Sequence, residues 1–65
     1  MKATTRHALK HAIRVLRERA RRAGNEADKA RAQFGRPDIA REEEDARDAD
    51  LAAIESLEEL LKEAQ

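Results

Sequence analysis

Apolar residues recur every three or four positions along two segments of the chain, which is the spacing of one face of an amphipathic helix. The first seam consists of Leu9, Ile13, Leu16, Ala20, Ala23, Ala27, Ala30 and Phe34. The second seam consists of Ile39, Glu43, Ala46, Asp50, Ala53, Leu57, Leu60 and Ala64. Both follow the heptad pattern of helices that pack side by side, although the second includes two acidic residues. The pattern predicts an all-α protein with two long helices.

A glycine and a proline near the middle of the chain separate the two seams. Gly35 tolerates the left-handed conformation that ends many helices, and Pro37 suits the first turn of a new one. The predicted layout is a single domain over residues 1–65, with helix 1 over about 5–34, a turn at 35–37 and helix 2 over about 38–64.

Two local features concern the start and the continuity of helix 1. Thr4 or Thr5 is a suitable N-terminal cap. Gly24 followed by Asn25 is a place where the helix could end early, which would give three helices instead of two. However, the heptad spacing passes through Gly24 without a skip, and one glycine inside a helix costs only about 1 kcal/mol. We favour a continuous helix, with a break at Gly24 as the alternative.

Folding the two seams onto each other across the turn pairs positions whose numbers add to 73. Phe34 then faces Ile39, and Leu16 faces Leu57. Large side chains meet large ones at both ends of the seam, and alanines meet alanines in the middle. This match predicts an antiparallel two-helix hairpin of the helical coiled-coil type.

The two acidic residues on the second seam need partners or water. A buried carboxylate without a partner is too costly to keep in a folded protein. We therefore expect the seam to be wet around Glu43 and Asp50, or an arginine such as Arg19, Arg22 or Arg31 to reach them.

The composition indicates a core too small to stabilise the hairpin easily. The chain has 65 residues, and 40% of them are hydrophobic, but 14 of those 26 are alanine. Domains of this size bury only about 60% of their unfolded surface. Cysteine is absent, so stability must come from close helix packing or from oligomerisation.

The longest apolar run, Leu51 to Ile54, is far shorter than the roughly 20 residues that span a bilayer. We expect no membrane segment and a cytoplasmic protein.

The charges divide between the two halves of the chain. Residues 1–36 carry 11 Lys and Arg against 3 Asp and Glu, a net charge of +8, and residues 37–65 carry 3 against 11, a net charge of −8. A second copy could set its acidic helix beside this basic one, so we predict a homodimer that forms a four-helix bundle. The predicted self-association interface is the wide apolar surface at the open end of the hairpin, formed by Leu9, Ala12, Ile13, Val15, Leu16, Ile54, Leu57, Leu60 and Leu61.

Candidate chemistry is scarce. His7 and His11 stand four residues apart on one helical face, but no third metal ligand is evident, and a solvated polar face explains them better. The acidic run 42–45 points in four directions and suits the positive end of helix 2. A thin hairpin has no concave pocket for catalysis. We therefore expect no enzymatic activity, no cofactor and no metal site.

A basic stripe on helix 1 is the strongest indication of nucleic-acid binding. It consists of Arg6, Lys10, Arg14, Arg17 and Arg21. Cationic side chains along one helical face can follow a row of phosphates. Against this, helix 2 carries an equal negative charge, and no Tyr or Trp is present to stack on bases.

In overall plan the chain resembles the Rop family of small plasmid-encoded RNA-binding proteins, whose two helices dimerise into a four-helix bundle. The resemblance covers the architecture of the whole chain but includes no shared motif. None of the family's RNA-contacting positions matches a residue of this sequence. The resemblance implies a dimeric bundle and makes nucleic-acid binding an alternative function.

The function that we predict is that of a small non-enzymatic protein–protein interaction module, acting as a helical-hairpin homodimer. Adaptors, inhibitors and regulatory subunits of this kind include small phage- and plasmid-encoded proteins. One alternative is a Rop-like nucleic-acid-binding hairpin that uses the basic stripe. Another is a purely structural or designed coiled coil, although Asp50, Glu43, Gly24 and the paired histidines each break a local rule of design.

Overall fold

The computed structural model describes residues 1–64 and contains two α-helices, α1 over Ala3–Ala32 and α2 over Pro37–Glu63. The helices pack against each other along their length as an antiparallel hairpin. The Cα atoms extend over 48 × 14 × 11 Å. The predicted all-α hairpin is confirmed, and α1 runs without interruption through Gly24.

The ends of α1 differ from the predicted bounds by two residues and those of α2 by one. α1 begins after Lys2, with no side-chain cap, so the predicted cap at Thr4 or Thr5 is wrong. Gly35 has a φ of 57°, and a helix must end before a residue in this left-handed conformation. The turn therefore occupies residues 33–36, where the Arg36 N–H donates a hydrogen bond to the Ala30 carbonyl at 2.7 Å.

The first seam lies between the helices as predicted, with one exception. Its members from Leu9 to Ala30 are all buried or half-buried. Phe34 is 68% exposed, because α1 ends at Ala32 and the chain leaves the helical path before Phe34. The predicted contact between Phe34 and Ile39 in the core is therefore wrong, although both residues line one shallow depression beside the turn.

α2 is rotated about its axis relative to the prediction. Four of the eight predicted seam positions, 39, 46, 53 and 60, are replaced at the seam by the residue that follows each of them. Ile39, Ala46 and Leu60 are exposed, whereas the residues that follow them, Ala40, Arg47 and Leu61, are buried or half-buried. Ala53 is half-buried, and the next residue, Ile54, is buried. Turning Ile54 and Leu61 inward in place of Ala53 and Leu60 buries more apolar area. The same rotation brings Arg47 to the seam, where its aliphatic stem covers Gly24 and its guanidinium reaches Asp48.

The cross-helix contacts lie on both sides of the predicted register. On one side of the hairpin, contacts such as Arg19–Asp50 join residues whose numbers add to about 70. On the other side, the ion pairs such as Arg17–Glu58 join residues whose numbers add to 75. The predicted sum of 73 lies between these two values.

The core of a single hairpin is small. Its buried apolar members are Ile13, Ala20, Ala23, Ala27, Ala30, Ala40 and Ile54. Five of these seven side chains are alanines, which contribute little apolar area. A compact monomer of 7.4 kDa is expected to expose about 4200 Å², whereas this hairpin exposes 5072 Å². The molecule thus has surface that a compact monomer would have covered.

Candidate interaction surfaces

The hairpin has two broad sides that differ in chemistry, because residues seven apart on a helix lie on the same side. The charged face is formed by Lys10, Arg14, Arg17, Arg31, Glu44, Glu55, Glu58, Glu59 and Lys62. The apolar face, on the opposite side, is formed by Met1, Ala8, Ala12, Val15, Ala46, Ala49, Ala53 and Leu60, with Ile39 and Phe34 beside the turn. Sequence reasoning placed the apolar surface at the open end only.

Ion pairs between the helices hold the charged face together. Arg17 Nη2 lies 3.2 Å from Glu58 Oε2. Arg31 donates two hydrogen bonds to Glu44, from Nη2 to Oε1 at 2.6 Å and from Nη1 to Oε2 at 3.2 Å. Hydrogen bonds from Arg31 hold the pKa of the Glu44 carboxyl below its usual range. The two pairs are 14 residues apart on both helices, so their spacing repeats the heptad.

The basic stripe does not form an uninterrupted cationic surface. Lys10, Arg14 and Arg17 line one groove together with acidic residues of α2. Arg21 binds Glu18 on its own helix, and its hydrogen bond lowers the pKa of that carboxyl. Arg6 is half-buried, and within residues 1–64 its Nε has no hydrogen-bond partner. A phosphate backbone approaching Lys10, Arg14 and Arg17 would meet the carboxylates that line the same groove.

Large exposed hydrophobic side chains are concentrated on the apolar face. Val15 is 49% exposed and Leu60 50% exposed. Met1, Phe34 and Ile39 are also exposed, at the two ends of this face. Leu51, which is 47% exposed, lies on the other side because it stands seven residues from both Glu44 and Glu58. Large apolar side chains clustered on one face of a small protein indicate an interaction surface.

The predicted self-association residues divide into two groups. Ile13 and Ile54 are buried between the two helices of one hairpin, so they stabilise the monomer fold. Val15 and Leu60 are exposed. The remaining members are half-buried at the boundary between core and surface: Leu9, Ala12, Leu16, Leu57 and Leu61.

Sequence reasoning missed three exposed members of the apolar face, Met1, Phe34 and Ile39. Phe34 and Ile39 were assigned to the core, and the position of Ile39 follows from the one-residue rotation of α2. A signal was present in the sequence, since Ile39, Ala46, Ala53 and Leu60 form a second heptad stripe parallel to the buried one.

Of the two acidic residues on the second seam, Asp50 has an arginine partner, which is one of the two expected outcomes, and Glu43 is half-buried. Asp50 is 7% exposed. Arg19 Nε lies 2.8 Å from Asp50 Oδ2, and Arg19 Nη2 lies 2.7 Å from Oδ1. This bidentate geometry is the strong form of an Arg–carboxylate pair. The hydrogen bonds from Arg19 lower the pKa of the Asp50 carboxyl, although burial opposes the effect.

This pair gives the hairpin a predicted dependence on pH. A carboxyl with a lowered pKa in the folded state stabilises the fold fully above its unfolded pKa of about 4. The stabilisation is lost as the pH falls below that value through the folded pKa. We expect the thermal midpoint, measured by helical circular dichroism, to fall in acid, and to fall less in Asp50→Asn. Asp45→Asn, an exposed residue of the same helix, serves as the control and should keep the wild-type pH profile. An unchanged acid profile in Asp50→Asn would contradict this role.

The two histidines and the acidic residues do not form a metal site in the described residues 1–64. His7 and His11 are both exposed. Among residues 1–64, no three His, Cys, Asp or Glu side chains come together as a group suited to a metal ion. In the same part of the chain, neither helix has an apolar stretch long enough to cross a bilayer.

Comparison with known proteins gives no relative: no family model, curated protein or solved structure matches the chain.

Proposed function

We propose that the chain is a non-enzymatic protein–protein interaction module that works as a homodimer of helical hairpins. In this proposal the apolar faces of two copies pack together into a four-helix bundle. The observation that carries it is the clustering of Val15, Leu60 and the exposed alanines on one side of a hairpin with a small core. The charged faces remain outside, where an adaptor or regulatory subunit would contact another protein. A cytoplasmic setting is part of the proposal.

The size of the apolar face supports this assembly. One full-length face is roughly a quarter of the 5072 Å² surface, on the order of 1200 Å², and a stable interface needs about 800 Å² per partner. Burying the exposed parts of Val15 and Leu60 in both copies would contribute a few kcal/mol, at about 25 cal/mol per Å². A dimer would also supply the second layer that a two-helix protein lacks.

The dimer is tested by placing a charge on each side of the hairpin. Val15→Glu and Leu60→Glu introduce a carboxylate into the apolar face, whereas Leu51→Glu makes the same change at a similarly exposed leucine on the charged side. We expect the first two variants to sediment as monomers at concentrations where the wild type and Leu51→Glu are dimers. If all three variants keep the wild-type mass, the apolar face is not the interface.

The charged face fits an interaction with protein better than one with nucleic acid. Basic and acidic side chains share one groove, and such a mixed surface complements another mixed surface. Binding to RNA or DNA demands a steep dependence on salt. A gel shift that detected RNA or DNA binding at about 50 mM salt, and lost it in Arg14→Ala, would favour the alternative function.

A further inference from the structure

The apolar face is not uniform along the hairpin. Most of its charged members lie in the half nearer the turn: Arg19, Arg22, Glu26, Glu42 and Glu43. The half nearer the termini carries one carboxylate of α2 on this face, Glu63 at the last residue of the helix, and its large side chains are Val15 and Leu60. The two halves meet near Arg17, at the midpoint of α1.

From this asymmetry we infer that the second copy packs in one orientation, with both turns at the same end of the bundle and each α1 against the α2 of the other copy. This inference rests on the proposed function, because it describes how the apolar faces of that dimer meet. The two-fold axis then runs along the length of the hairpins.

The opposite orientation would place unlike halves together. With the turns at opposite ends, each α1 would lie along the α1 of the second copy. Arg19 would then face Val15 of that copy, and Arg22 would face Ala12. Both arginines would lose water against this apolar surface and gain no new partner there, and Arg19 would keep only the Asp50 carboxylate that it already binds. This loss disfavours the arrangement.

The orientation with both turns together avoids this loss. The more apolar halves, nearer the termini, pack on each other, so Val15 lies near Leu57 and Leu60 of the second copy. In the turn half, polar and charged side chains of both copies meet each other, where water can still reach them. Apolar complementarity therefore selects this orientation.

Spin labels attached to single cysteines test the orientation directly. The chain has no cysteine, so one introduced thiol per copy reports only distances between copies. Ala32→Cys places the label on the exposed end of α1 beside the turn, and Ala52→Cys places a control label on the exposed surface near the midpoint. The two labels at the midpoint are close in either orientation.

For turns at the same end, we expect the Ala32→Cys distance to fall in the same range as the Ala52→Cys distance. That range is about 35 Å or less, because neighbouring helix axes in a bundle are about 10 Å apart. For turns at opposite ends, the Ala32→Cys labels would be at least about 45 Å apart, since 15 residues of helix separate each from the midpoint at 1.5 Å per residue.

The two label sites distinguish failure of the orientation from failure of the dimer. A short distance at both sites supports the inference. A short distance at Ala52→Cys with a long one at Ala32→Cys overturns the orientation and leaves the proposed dimer intact. If neither labelled variant gives a measurable distance between spin labels on two copies, the orientation and the proposed dimer are both overturned.

Discussion

Replacing Ile54 with alanine is expected to destabilise the protein by about 2 to 4 kcal/mol, because among residues 1–64 it is one of only two large apolar side chains that are buried. Chains of this length typically have a total stability of about 3 to 10 kcal/mol. At the lower end of this range, a substantial part of the population should lose its helix near room temperature; at the upper end, the loss is measured as a lower denaturant midpoint. The measurement is denaturant unfolding followed by helical circular dichroism at a fixed protein concentration, since dimerisation makes stability depend on concentration.

The control for Ile54→Ala is Leu51→Ala, which removes a similar volume from a half-exposed position on the same helix. We expect it to change the free energy of unfolding by about 0.5 kcal/mol or less. Equal losses for the two variants would mean that Ile54 does not point into the seam. The rotation of α2 described above would then be wrong.

Enlarging Ala27 to leucine is expected to destabilise the hairpin by about 1 to 3 kcal/mol, because the alanine layers bring the helices too close to admit a larger side chain. Ala27 is 2% exposed and lies in a cluster with Ala30 and Ala40. Accommodating leucine there requires the helices to separate next to the turn. The same unfolding measurement detects the loss.

Ala52→Leu adds the same atoms on the outward side of α2, where Ala52 is exposed. It should leave the unfolding midpoint nearly unchanged, since leucine and alanine both favour helices. A stabilising effect of Ala27→Leu would show that the seam contains space near the turn. The close approach of the helices would then not hold.

Much of the fold follows from the sequence, because period and punctuation are local properties. The unbroken spacing through Gly24 predicts one long α1, and Gly35 with Pro37 predicts the turn. The cost of leaving a carboxylate buried alone predicted either water or an arginine at Asp50, and the structure shows an arginine there, Arg19.

The rotation of α2 could not be predicted from spacing alone. One stripe of α2 runs through Ile39, Ala46, Ala53 and Leu60, and the next runs through Ala40, Arg47, Ile54 and Leu61. Both have heptad spacing, and Arg47 makes the second stripe look polar. Its aliphatic stem packs at the seam while its guanidinium remains at the surface, which is common for long basic side chains.

The same rotation explains which part of the predicted interface changes. Ile54 was assigned to self-association, and the rotation turns it into the hairpin core. Leu60 is turned outward by the same step, onto the side that carries Val15. A mixture of core and surface residues was therefore assigned to one interface, because the sequence pattern gives the width of an apolar surface but not the direction that it faces.

The most direct test of the central claim, that the apolar faces of two hairpins cover each other, is the molar mass of the unmodified chain in solution. Light scattering with refractive-index detection suits a protein without Trp or Tyr. The account predicts a mass of about 15 kDa, twice the chain mass of 7.4 kDa, that falls toward the monomer only on dilution. A mass that stays at 7.4 kDa at every concentration, with the helices fully folded, would contradict it.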